Sequence, residues 1–208
     1  MVACALSVAA AARPARGEEL VLARDGSGSP DARRAVTLCL DSANAEDAAQ
    51  RTDLLARALE GAERAVAAEP DDAKAHFALF CSLGRMLETD GASVAGLVQL
   101  GRLKRTIDRA LALAPGFVDA MTAKGALLVR LPGILGGDAD EGERLLRHAL
   151  ALAPGHAHAR LELAKALDGK GDRQAALEEV RQVLTITDAP AAIVEVREAR
   201  VLAAKLGS

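Results

Sequence analysis

Apolar residues along this chain keep the three- and four-residue spacing of helices, and no segment shows the two-residue period of a half-buried strand. Ser29 reads as an N-cap with Pro30 in the first helical position, and a helix runs on through about Leu40. A second helix is predicted from Glu46 to Ala68, where Glu69-Pro70 ends it. Asp71-Asp72 places acid ahead of a third, from Ala73 to about Glu88, which Gly91 breaks. Ser93–Leu113 returns as a helix and stops at Pro115-Gly116, and Val118–Leu131 stops at Pro132-Gly133. Glu141–Leu152 follows a cap at Asp138 and stops at Pro154-Gly155. His156–Leu167 and Arg173–Ile186 flank the turn Gly169-Lys170-Gly171-Asp172. Ala191–Leu206, with an apolar stripe at Ile193, Val196 and Val201, predicts a last helix that caps the open end of a stack.

The pattern repeats itself. The string ALALAPG occurs at Ala110–Gly116 and again at Ala149–Gly155, each time after a basic amphipathic segment, KRTIDR or ERLLRH. Ala65–Pro70 (AVAAEP) is a looser copy, and Val183–Asp188 is a degenerate one with Pro190 two residues late. Self-similarity at a few tens of residues is the mark of stacked helical hairpins.

Composition sharpens this picture. Half of the 208 residues are hydrophobic, and that mass is Ala, Leu and Val, with no Trp or Tyr and with Phe77, Phe80 and Phe117 as the aromatics. Leu and Ala favour helix, and small side chains let helix axes approach. A net charge of −3 without a basic block gives no footprint for nucleic acid. Metalloprotease, nucleophile-elbow and P-loop signatures are absent, so the chain is expected to be no enzyme and to need no cofactor. His156 and His158, two apart, point in different directions on a helix and cannot share a metal; at a helix start they are expected on the surface. Cys39 and Cys81 are read as small apolar residues packed inside helices; a bond between them is the alternative if Cys4 leaves with a leader. Residues 1–12 are apolar apart from Ser7, end in Ala10-Ala11-Ala12 and precede a charge-rich stretch. They read as the back half of a secretory signal, too short to span a membrane, which predicts a periplasmic or otherwise exported protein, with a cytoplasmic one as the alternative. Residues 13–29 read as a linker and 30–208 as one helical domain.

These features resemble tetratricopeptide repeats, a family of 34-residue helical hairpins with small residues at fixed contacts and a Pro after the second helix. In that register Pro115 closes one unit, and Gly125 takes the small position where the two helices of the next hairpin touch. Gly142, Leu146, Ala149 and Pro154 fall on its second helix; Ala164, Ala176, Val180 and Val183 repeat the pattern. The spacing departs from the family, with 39 residues from Pro115 to Pro154 and 45 from Pro70 to Pro115; the surplus is assigned to the hairpin loops PGILGGD and TDGASVAGL. More narrowly, the long irregular repeats and the loop Leu131–Asp138 are similar to the periplasmic helical-repeat T components associated with TRAP transporters.

The resemblance implies an all-α, right-handed superhelix of antiparallel hairpins whose concave groove is lined by the first helix of each hairpin. Its positions fall on Lys74, Phe77, Cys81 and Arg85, then on Asp119, Thr122, Ala126 and Arg130, then on His158, Leu161 and Lys165. Lys74, Phe77, Arg85, Asp119, Arg130, His158 and Lys165 are the binding candidates, a basic-biased set suited to an acidic peptide, with Phe77 as the buried contact. Ile134 and Leu135 in the PGILGGD loop are the competing site, unless they fold back over their own hairpin. The expected function is a non-catalytic scaffold or adaptor for a protein or peptide partner, possible as a homo-oligomer. The alternative is a periplasmic accessory of a solute transport system that holds an apolar small molecule or docks on a solute receptor.

Overall fold

A computed structural model describes residues 22–90, 94–185 and 193–207 of the chain. The signal segment at 1–12, with Cys4, and the first part of the linker lie outside the described residues, as do Gly91 and Pro190. Among the described residues there are nine α-helices and no strand. They are α1 (Pro30–Asp41), α2 (Ala48–Ala68), α3 (Ala73–Asp90), α4 (Val94–Leu113), α5 (Val118–Arg130), α6 (Ala139–Leu152), α7 (Ala157–Gly169), α8 (Arg173–Leu184) and α9 (Ile193–Gly207). Single 3-10 turns cover Ser42–Asn44 and Gly133–Leu135.

Short polar side chains set the helix starts, because the first N–H groups of a helix have no partner inside it. Ser29 Oγ accepts from the Ala32 N–H ahead of Pro30. Asp47, Asp138 and Asp172 accept from the first turns of α2, α6 and α8. Asp72 accepts from the N–H groups of Lys74 and Ala75. The Ala-x4-Pro closures produce one geometry three times. The N–H groups of Glu69, Ala114 and Ala153 bond the carbonyls of Ala65, Ala110 and Ala149. Those of Asp72, Phe117 and His156 then bond Glu69, Ala114 and Ala153, and the chain turns into its next helix. The three closing alanines are buried, which is why nothing larger stands there.

Four antiparallel hairpins, α1/α2, α3/α4, α5/α6 and α7/α8, stack in order. The first helices make one layer through α1 against α3 and α5 against α7, and α9 closes on α7 and α8. Within α5/α6 the backbones nearly touch: a Cβ on Gly125 would lie 2.9 Å from the Gly142 carbonyl oxygen, and one on Gly142 would lie 2.7 Å from that of Gly125. The expected small contact is therefore a reciprocal glycine pair, with Leu146 fully buried beside it.

Among the described residues, those in surplus between Pro70 and Pro115 are helical. They lengthen α3 and α4, which have 18 and 20 residues against 12 to 14 in each of α5 to α8. Thr89, Asp90 and Val94–Leu97 of the expected TDGASVAGL loop are helical.

The core is divided. One cluster joins Val36, Ala62, Phe77, Phe80, Leu83, Ile107 and Phe117 across α1 to α5. A second joins Leu146, Leu161, Leu163, Val180, Val183 and Leu202 across α6 to α9. Between them lies a small cluster of Val118, Met121, Ala149 and Ala159, against which Leu22 packs.

Candidate functional site

The first-helix layer behaves differently at its two ends. Over α3 and α5 it is covered by the chain itself. The segment Leu22–Ser29, expected to be the end of a linker, is laid across these helices. The Ala23 N–H donates to Asp119 Oδ2 at 2.7 Å, and the Ala23 methyl is buried. Lys74, 1% exposed, donates its Nζ to Asp25 Oδ1 at 2.6 Å and to the Asp25 main-chain oxygen at 2.9 Å. The same carboxylate accepts from the N–H groups of Leu22 and Ser27 and shapes the segment into a turn. The Ser29 N–H bonds Asp72 Oδ2. Gly28, at φ +75°, turns the chain into α1 where a side chain would strike Lys74.

Electrostatics follow the same contacts. Burial pushes the Asp25 carboxyl up, but the hydrogen bonds from Lys74, Ser27 and Leu22 outweigh it and hold the acid well below the ordinary carboxylate range. For Asp119, burial is likewise outweighed, by His156 and by the Ala23 N–H. His156 lies 3.2 Å away through Nε2 while its Nδ1 accepts from the Ala159 N–H, so it caps α7 and orients Asp119. That corrects the expectation of a surface histidine.

Over α5, α7 and α9 the layer carries a ladder of charges. Glu162, 3% exposed, accepts from Arg130 at 2.7 Å and from Lys165 at 2.8 Å, and Lys165 also reaches Glu198 at 2.7 Å. His158 lies 3.6 Å from Glu195, whose Oε2 is buried without a hydrogen-bond partner. Burial raises Glu162, and the neighbouring charges of His158, Arg130 and Lys165 bring it below its ordinary value. Burial lowers Lys165, but Glu162 and Glu198 raise it overall.

The expected binding residues thus fall into separate groups. Lys74 and Asp119 meet at the covering segment, while Arg130, His158 and Lys165 meet around Glu162. Phe77 joins neither group: it is 4% exposed and stacks against Phe117 at 4.8 Å, so it is a core residue and not a groove contact. Thr122, Ala126 and Leu161 are also buried. Arg85 lies further along α3, partly buried. Ile134 is 94% exposed and Leu135 half-buried, on a turn whose Leu135 carbonyl accepts from Lys104 of α4; this loop stands apart from the first-helix contacts.

Sequence reasoning missed Asp25, Glu162 and Glu195. A signal for Glu162 was present: His158, Glu162 and Lys165 are spaced four and three apart, which puts them on one helix face. The reading of Cys39 and Cys81 as packing residues is also corrected. The two are bonded, with Cα atoms 6.2 Å apart, and tie α1 to α3 within the layer. They meet because α1 and α3 are equivalent helices of neighbouring hairpins packed side by side.

Among the described residues no three His, Cys, Asp or Glu side chains could jointly hold a metal, and no helix is long and apolar enough to cross a membrane. An open cleft of about 570 Å³ beside the covering segment is lined by Ser27, Gly28, Pro70, Asp71, Asp72 and Lys74, among others, with no Leu or Phe.

This architecture is a helical-repeat fold of the tetratricopeptide type. A tetratricopeptide-repeat family model matches residues 134–193, within the half with the shorter, regular helices. A thermophilic tetratricopeptide-repeat protein from Thermus thermophilus superposes with a TM-score of 0.60 at 20% identity, over 84% of this chain and 90% of that one. A MamA protein (TM-score 0.48, 15% identity, 84% and 87% of the two chains) and a MamA RS-1 ArsTM double mutant (0.49, 17%, 87% and 97%) are more distant. No curated protein sequence matches the chain.

Proposed function

We propose that the protein is a non-catalytic scaffold whose first-helix face holds a short segment of a protein partner. The observation that carries this reading is the cover over α3 and α5, where the face already holds a turn of polypeptide at residues 22–25 through a backbone N–H, a carboxylate and a small buried side chain. The ladder on α5, α7 and α9, partly exposed among the described residues, supplies the remaining surface. Arg130 and His158 are exposed there, and the unpartnered Glu195 oxygen is an acceptor that a donor from a bound segment would satisfy. Because Glu162 already pairs with Arg130 and Lys165, the ladder suits a segment of mixed charge better than the purely acidic one the basic residues suggest.

The Cys39–Cys81 disulfide supports an exported, oxidising setting, as does the apolar run ending at Ala10–Ala12. The second reading, a periplasmic accessory of a solute transport system, shares that setting. Its apolar ligand would need a cavity lined by Leu and Phe, whereas the open cleft has neither and carries Glu69, Asp71 and Asp72, and Phe77 lies in the core.

Peptides selected from a random library on the intact protein test the scaffold. Their affinity should fall at least tenfold in an Arg130→Gln, Lys165→Gln variant, which keeps hydrogen-bond donors beside Glu162. It should be unchanged in Arg144→Ala, on the exposed side of α6. Loss only on changing Ile134 and Leu135 would move the site to the loop.

A further inference from the structure

We propose that Leu22–Asp25 is an internal occupant of the partner site, and that the face selects in trans a segment of the same chemistry: an apolar residue, a small residue beside it, and an acid two positions further on. The inference rests on the scaffold reading above and names the partner that the α3/α5 end of the face accepts.

Each position is read by a different contact. Leu22 packs on the cluster of Val118 and Met121, both buried. Ala23 is 4% exposed, so a larger side chain there has no space, and its N–H is taken by Asp119. Arg24 points outward to a half-exposed ion pair with Asp41, so that position selects little. Asp25 meets Lys74, whose ammonium is shut away from water. A buried cation without a counter-charge is strongly destabilising, so this position requires an acid. Two of the contacts use the backbone of the occupant: the Ala23 N–H donates to Asp119, and the Asp25 carbonyl accepts from Lys74. Those two would hold any chain that takes the same turn, closed by the Asp25 N–H on the Leu22 carbonyl, and the side-chain contacts choose among chains.

The occupant is tethered. Its end is tied at Ser29 to Asp72 and turned into α1 by Gly28. A tethered segment acts at an effective concentration of about a millimolar, so a free peptide competes poorly until the tether's own contacts are weakened. A partner that also engages Arg130 and Lys165 gains the additional contacts needed to displace it.

The test uses the full chain with Ala23→Pro, which removes the N–H given to Asp119, and separately Asp25→Asn. The probe is a fluorescent peptide of sequence LARDGSGS, that of residues 22–29. The intact protein should resist trypsin after Arg24 and bind the peptide weakly. Both variants, with unchanged helical circular dichroism, should be cleaved there and bind the peptide at least tenfold more tightly. Replacing the peptide's Asp by Asn, or its Ala by Leu, should remove that gain. Cleavage after Arg24 without peptide binding would overturn the proposal and leave the segment a structural arm. So would continued protection of Arg24 in both variants. If library-selected peptides still bind through Arg130 and Lys165 in those cases, only this inference fails; if they too fail to bind, the scaffold reading falls with it.

Discussion

The two halves of this repeat array solve the same packing problem with different means. From α1 to α4 three of the four helices, α2 to α4, are long, the core holds aromatic rings, a disulfide ties α1 to α3, and residues 22–29 lie over the first-helix face at α3 and its neighbour α5. From α5 to α9 the helices have 12 to 15 residues, the core cluster is aliphatic, two backbones meet at a glycine pair, and Arg130 and His158 of the charged ladder are exposed. The buried cation differs as well. Lys74 is enclosed and depends on one carboxylate, whereas Arg130 and Lys165 share a buried carboxylate while remaining partly in water. Regularity in the second half goes with charged side chains exposed on the first-helix face. Irregularity in the first half is spent on holding its own chain.

The largest effect should come from breaking the regular half. Gly125→Leu forces a side chain into the Gly142 carbonyl and Leu146, and should cost about 4 kcal/mol or more, read as a collapse of the urea midpoint. An unchanged midpoint would mean that α5 and α6 are not held together by this contact.

Reducing the disulfide should destabilise by about 2–4 kcal/mol, since it closes a loop of 42 residues. Hydrogen exchange should accelerate first in α1 and α3 and leave α7 to α9 protected, because their cores are separate clusters. Uniform acceleration would show that the halves unfold as one.

Two acid-to-alanine changes compare the buried charges directly. Asp25→Ala strands the enclosed Lys74 ammonium and should cost about 2 kcal/mol. Glu162→Ala frees cations that already reach water and should cost about 1 kcal/mol or less. Chemical denaturation of both variants settles the order. Both carboxyls sit below their ordinary values, so each adds stability above the unfolded value near 4 and loses it as pH falls toward the folded one. Asp25→Asn should therefore flatten the stability profile below about pH 4. Ile134→Ser, at the exposed loop tip, should change stability by less than about 0.5 kcal/mol.

Much of the array was legible before any coordinates. Helix starts at Ser29, Asp138 and Asp172 and stops at Pro70, Pro115, Pro132 and Pro154 are local events, decided by capping groups and by the missing proline N–H within a few residues. The glycine contact could be placed because the repeat itself carries a spacing. Of the site, the charged positions Arg130, His158 and Lys165 could be placed on one layer, but their dependence on Glu162 could not.

Sequence alone determined an all-helical array of hairpins, since helix period, caps and breakers act between near neighbours. Only the tertiary structure decided that Cys39 meets Cys81, that Phe77 belongs to the core, and that residues 22–29 lie across α3 and α5. Those outcomes join residues 40 to about 100 positions apart. Each depends on which helix faces which, and on where a buried cation finds its counter-charge, and neither is written in the spacing of any one segment.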